Sequence, residues 1–213
     1  MRVNRRRPER RATATVRLGR DRRLAAVGLA GYLLLGLVCR RSPQGPERRL
    51  FAWTNHREAD HALLRVPQQL GTPWTLPALA VAAFCLRRPH LTVVAGVALP
   101  LEKGLEVGLK NIVRRKRPAK ADPEAVLHDD APEAGPSYPS GHAAIASTAV
   151  VALSPYLPRP VVTAGAVLAG ATAAIRIKQG AHFPMDAVGG VALGLGVGAG
   201  LTAVVGRPAS GAG

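Results

Sequence analysis

Lys110 and Arg117 stand seven residues apart, and Pro118 follows the second at once. Proline disfavours helix at the residue before it, so the chain leaves its helix near Arg117 and both cations lie near one end of it. A compact ammonium and a planar guanidinium together suit the oxygens of a phosphate. A second stretch, Pro139-Ser140-Gly141-His142, comes just before an apolar run. The first turn of a helix leaves amide hydrogens unpaired and can hold an anion. Gly141 lets backbone come close to such a ligand, and Ser140 offers a cap and a hydroxyl. In the third stretch Arg176 is followed by His182 and then, four residues on, by Asp186. Pro184 suits a first helical position, which puts Asp186 about one turn into a helix. From there its carboxylate can hold one ring nitrogen of His182 and leave the other to attack.

The elements that must position these residues are apolar. The 213-residue chain is 47% hydrophobic and 20% charged, with 29 Lys and Arg against 13 Asp and Glu, 23 Gly, 18 Pro and two Cys. Six apolar stretches, at 24–39 and about 73–86, 90–112, 142–157, 161–177 and 185–206, alternate with charged or Pro-rich segments. They predict an all-α integral membrane six-helix bundle, with flanking cations reaching the interface where a stretch is short. Segment 40–72 carries Leu50, Phe51, Trp53, Leu63, Leu64, Val66 and Leu70 among charges, which predicts an interfacial amphipathic helix between helices one and two. Segment 119–136, with its acidic residues and prolines, reads as a solvent loop. The third helix contains Glu102, Lys103, Glu106 and Lys110 within an arc of roughly 100°, a face that cannot look at lipid; Glu106 and Lys110 are in ion-pair register. Gly190, Gly194 and Gly198, with the offset pair Gly196 and Gly200, predict close helix packing.

Charge sets the orientation and the domain plan. Residues 1–23 hold ten Arg against Glu9 and Asp21, half of the net +16, and form a basic cytosolic N-terminal segment. The membrane domain follows at 24–207 and a C-terminal tail at 208–213. No small-residue cleavage site follows Leu37-Val38-Cys39, so the first helix is read as retained. Counted by side, fourteen basic residues fall inside and twelve outside, so the orientation rests on the first helix. It places the three chemical stretches at the outer face of a multi-pass cell-membrane protein. Cys39 and Cys85 then lie at opposite faces, where no bridge joins them.

Taken together, Lys110 with Arg117-Pro118, Pro139-Ser140-Gly141-His142, and Arg176 with His182 and Asp186 resemble the three-part signature of the type-2 phosphatidic acid phosphatase superfamily, K-x6-R-P, P-S-G-H and S-R-x5-H-x3-D. The chain departs from it at Ile175, where the pattern has Ser, and so lacks one hydroxyl donor. The resemblance implies metal-independent hydrolysis of a lipid-linked phosphate monoester or diphosphate, of the polyprenyl diphosphate, phosphatidate or phosphatidylglycerol phosphate type. It implies that His182, oriented by Asp186, attacks phosphorus and forms a phosphohistidine, while His142 protonates the departing oxygen. Lys110, Arg117, Ser140, Gly141 and Arg176 would bind the phosphate oxygens.

The same residues admit other chemistry. Two His and one Asp can form an iron site, but three nearby cations would repel a divalent ion and attract a phosphate, so no metal and no cofactor is expected. Transfer of the phosphoryl group to an acceptor lipid or sugar uses the same intermediate as hydrolysis. A non-catalytic basic membrane anchor, with residues 1–23 on anionic lipid or nucleic acid, is the reading from another class; the reading preferred here has the bilayer and a lipid phosphate as partners, and no nucleic acid. His56, His61, His90 and His128 fall outside the motif stretches, in polar loops or at a helix edge, and are assigned no role.

Overall fold

The computed structural model describes residues 6–43, 45–56, 66–128 and 131–206. The expectations for His61, Leu63, Leu64 and the tail 208–213 concern residues outside that set. Among the described residues the protein is all-helical, with eight helices and no strand. They are α1 (Arg6–Val38), α2 (Pro46–Asn55), α3 (Thr75–Cys85), α4 (Pro89–Val113), α5 (Pro118–Ala121), α6 (Gly141–Leu153), α7 (Arg159–Lys178) and α8 (Pro184–Val205). Prolines near the start of α2, α4, α5, α7 and α8 supply the fixed φ that a first turn wants, and their missing N–H is one the helix could not use. Two helices, α7 and α8, are long and apolar enough to cross a membrane.

Five of the six apolar stretches correspond to α3, α4, α6, α7 and α8 within a few residues. The first differs. The basic segment does not stand apart from the first apolar stretch, because α1 runs continuously through both. Arginine and alanine are good helix formers, and after Pro8, near the helix start, Gly19 is the strongest helix breaker in the run, with no proline before the apolar stretch begins. Segment 119–136 also differs from a free loop. It opens with α5, and Asp122 receives two 3.0 Å hydrogen bonds from the Arg48 guanidinium of α2. Buried Asn55 pins the same segment, donating to Val126 O and Lys178 O and accepting from the Val126 amide.

At the centre, α8 packs against α1 on one side and α6 on another. The glycines of α8 divide between these neighbours. A Cβ on Gly190 or Gly194 would lie 2.3 Å from Ser140 O or Ala144 O, and one on Gly198 would meet Val151 of α6. A Cβ on Gly196 or Gly200 would instead meet Leu29 or Ala25 of α1. Two interleaved four-residue spacings therefore serve two faces. Tyr32, Leu76, Ala98, Tyr138, Ile145 and Leu193 fill the core between them.

Candidate active site

The C-terminal end of α4, the N-terminal end of α6 and the α7–α8 turn meet at one end of the bundle. Helix α4 ends at Val113, and Arg114 takes a left-handed conformation (φ 50°) whose amide caps Lys110 O. Arg117, before Pro118, is extended, no helix or strand is formed at 114–117, and extended backbone alternates its side chains. Arg114 and Lys116 are accordingly exposed, whereas Arg115 and Arg117 turn inward and are buried. Arg117 donates from Nη1 to Ala181 O at 2.8 Å and from Nε to Ala134 O at 2.9 Å, which fixes its guanidinium beside His182. Burial presses the Arg117 pKa below its ordinary value; Asp186 opposes this and Arg176 adds to it.

His182 lies in the turn between α7 and α8, 4% exposed, with its amide and that of Ala181 turned to Arg176 O. Burial first, then the charges of Arg117, Arg176, Lys110 and His142, hold its imidazole well below the usual histidine range. All three sequence stretches thus act on one ring. Arg176 is buried in the last turn of α7 and donates to Gln179 Oε1 at 2.8 Å; Gln179 in turn donates to Gln68 Oε1 at 3.1 Å. Ile175 is buried beside it, so an apolar group stands where a hydroxyl was missed.

Ser140 precedes α6 in extended conformation, and its amide donates to Asp186 O at 2.9 Å, which ties α6 to α8. Its hydroxyl is fully buried with no hydrogen-bond partner, and neither has His182 Nδ1. The Ser140 hydroxyl is therefore free to donate to an anion, whereas the polar group facing His182 Nδ1 is Asp186, 3.9 Å away. Gly141 packs closely on Glu106: a Cβ there would stand 2.9 Å from Glu106 Oε2 and press on the carboxylate that Lys103 and Lys110 hold. Glu106 lies between Lys110 (2.5 Å) and Lys103 (2.7 Å), the ion-pair register expected on this face. Glu102, one turn deeper, accepts a hydrogen bond from Thr148.

Asp186 is placed differently from the sequence expectation. Its Oδ2 stands 3.9 Å from His182 Nδ1, beyond hydrogen-bonding reach, and instead accepts the Phe183 amide at 2.9 Å. Its Oδ1 takes Arg115 Nη1 at 2.7 Å. A carboxylate three residues into a helix naturally reaches back to the amide before it, and that local bond competes with the imidazole. Arg115 was not singled out from the sequence. Its signal was available: once Pro118 forces extended backbone at Arg117, the residue two before it faces the same way.

The profile of the PAP2 superfamily matches residues 91–209, which contain all three stretches. The chain belongs to this superfamily. Decaprenylphosphoryl-5-phosphoribose phosphatase of Mycobacterium tuberculosis is 36% identical to it over 128 residues, 59% of this chain and 68% of that protein. Among solved structures, Aquifex aeolicus LpxE has a TM-score of 0.67 at 24% identity, over 74% of this chain and 94% of that one. The first transmembrane PAP2 type phosphatidylglycerolphosphate phosphatase from Bacillus subtilis also has a TM-score of 0.67, at 22% identity, over 84% of this chain and 94% of its own. As a PAP2 protein with this relative, the chain is a phosphatase, a hydrolase of phosphate esters.

Proposed function

We propose that this PAP2 phosphatase hydrolyses a lipid-linked phosphate without metal, through a phosphohistidine on His182. The observation that carries the reading is that the turn bearing buried His182 is bonded to all three stretches: Arg117 Nη1 donates to Ala181 O, the His182 amide donates to Arg176 O, and the Ser140 amide donates to Asp186 O. Neutral His182 would attack phosphorus through Nε2 as the bond to the leaving oxygen breaks, and His142 would give that oxygen its proton. Water then attacks the phosphorus–nitrogen bond, releasing phosphate and restoring the neutral ring. Lys110, Arg117 and Arg176, with the Ser140 hydroxyl and the amides at the start of α6, stabilise the equatorial oxygens. A small turn of the ring would close the 3.9 Å gap to Asp186 when substrate tightens the site. Three cations around the ring suit an anion and oppose a divalent metal.

The reading places six of the helices, α1, α3, α4, α6, α7 and α8, across the membrane, with α2 at the interface. Outward-facing Leu33, Leu34, Val81, Phe84, Val97 and Val167 supply apolar surface for lipid on four of them, and Leu50 and Trp53 of α2 are exposed as an interfacial helix requires. Cys39, just past the C-terminal end of α1, touches Arg115 at 3.4 Å, so the site lies at the end of the bundle opposite the Arg-rich start of α1. With that start in the cytosol, the pocket opens at the outer face. The Mycobacterium tuberculosis relative, named for a polyprenyl-linked sugar phosphate, favours a polyprenyl carrier over a diacylglycerol one.

The test is phosphate release from polyprenyl diphosphate, phosphatidate and phosphatidylglycerol phosphate by wild type and His182→Ala, with and without EDTA. Turnover of one lipid, lost in the variant and indifferent to EDTA, is the expected result. Turnover retained by His182→Ala, or none by wild type on any lipid, overturns the reading. Vanadate, which adopts the five-coordinate geometry of the transition state, should inhibit.

A further inference from the structure

We propose that Arg115, one of the six unspecified positions between Lys110 and Arg117, and Glu47, outside all three motif stretches, are positioning residues that fix Asp186 and through it His182, so that helix α2 is part of the catalytic scaffold. The inference rests on the reading of His182 as nucleophile.

The Arg115 side chain is 2% exposed and spends its two terminal nitrogens in different directions. Nη1 donates to Asp186 Oδ1 at 2.7 Å, and Nη2 donates to Glu47 Oε2 at 2.6 Å. The guanidinium carbon lies 5.1 Å over the Phe183 ring, next to His182 in sequence. Burial works against the charge of Arg115, but Asp186 and Glu47 more than offset it and raise its pKa. Glu47 completes the frame. Its second oxygen, Oε1, accepts the Met185 amide at 3.0 Å, an otherwise orphaned donor in the first turn of α8. One carboxylate from α2 thus holds both the guanidinium that grips Asp186 and the backbone next to Asp186.

Arg115 reaches Asp186 through Oδ1, while the other oxygen, Oδ2, faces His182, so the guanidinium acts through the carboxylate and not on the phosphate. A buried carboxylate with one oxygen held by a charged fork cannot swing, and the imidazole beside it inherits that orientation. A lysine offers one compact charge and cannot hold two carboxylates in these directions.

The experiment measures kcat and KM of the full chain in detergent, on whichever lipid phosphate of the panel above wild type turns over fastest, corrected for the folded fraction. Arg115→Met should lower kcat about 100-fold with KM within about two-fold of wild type, because a misplaced reacting group costs rate and not substrate binding. Arg115→Lys should recover part of that loss, and Glu47→Gln, which keeps a carbonyl for the Met185 amide, should cost about 10-fold in kcat. Combined with Arg115→Met, Glu47→Gln should add little, since both act on one group. If Arg115→Met folds too poorly to assay, Arg115→Lys and Glu47→Gln carry the same test. Variants with wild-type kcat overturn the inference, as does a KM raised ten-fold with kcat kept, which would place Arg115 on the phosphate. His182→Ala separates the two claims. If it is inactive while the Arg115 and Glu47 variants keep full kcat, only this inference falls; if it is active, the nucleophile reading falls first.

Discussion

In its first turn, α8 is held by charge: Arg115 and the Phe183 amide bind Asp186, and Glu47 binds the Met185 amide. From Gly189 onward it is held by close fit, with bare backbone set against Tyr138, Ser140 O, Ala144 O and Leu29. The two regions belong to one helix but answer to different physics. In the membrane placement proposed above, apolar side chains gain nothing by leaving lipid for protein, and helices associate through near contact of small residues. At the end of the bundle an anionic ligand demands fixed cations, and each buried cation demands a carboxylate or carbonyl to hold it. On the proposed reading the chemistry sits in the turn and the first turn after it, and the glycine-lined length beyond holds that turn in place.

Breaking the charged end should show the largest effect. His182→Ala should lower turnover by about 10³-fold or more while leaving the thermal unfolding midpoint near that of wild type. The close-fit region should respond the opposite way. Gly194→Ala puts a methyl 2.3 Å from Ala144 O and 2.8 Å from Ser147 Cβ, neither of which can yield. It should cost about 1–3 kcal/mol of stability with KM of the folded fraction unchanged. Gly170→Ala in α7 meets nothing within 4 Å and should cost nothing; equal losses at both sites would refute the distinction.

A pH profile sharpens the electrostatic half. On the proposed mechanism His182 is neutral when it attacks, and burial, with Arg117, Arg176, Lys110 and His142 nearby, holds its pKa well below the usual histidine range, near 6.5. The acid limb of kcat/KM should therefore fall below pH 6.5. Arg117→Met removes one of those charges, so the His182 pKa should rise and the limb should move to higher pH; a limb that stays put contradicts the coupling. The smallest effect belongs to the hinge between helix and site. Arg114 has φ 50°, and Arg114→Gly should stabilise the protein by about 0.5–1 kcal/mol, read as a raised unfolding midpoint, because glycine adopts that conformation without strain.

Much of this contrast is already legible along the chain. The glycine spacings in 190–200 announced close packing, and the i,i+4 pair of Glu106 and Lys110 announced its own contact, because helical geometry makes near neighbours calculable. Legibility ended where contacts join residues far apart in sequence. Nothing local says that Arg115 should meet Glu47, 68 residues earlier, or that Asn55 should bridge Val126 and Lys178. The length of α1 was misjudged for a related reason: charge marked a boundary in environment, and a helix crosses such a boundary without breaking.

What residue order alone determined was the set of parts: apolar helices of workable length, prolines that start them, and three clusters of phosphate-suited side chains at fixed spacings. Those follow from rules that act within a few residues. Tertiary structure decided which atoms meet. It turned the Asp186 carboxylate toward Arg115 and the Phe183 amide, left His182 Nδ1 and the Ser140 hydroxyl without partners, and brought α2 to the site through Glu47. The physical reason is that a buried polar atom must find its partner wherever packing puts one, and packing is a property of the whole bundle.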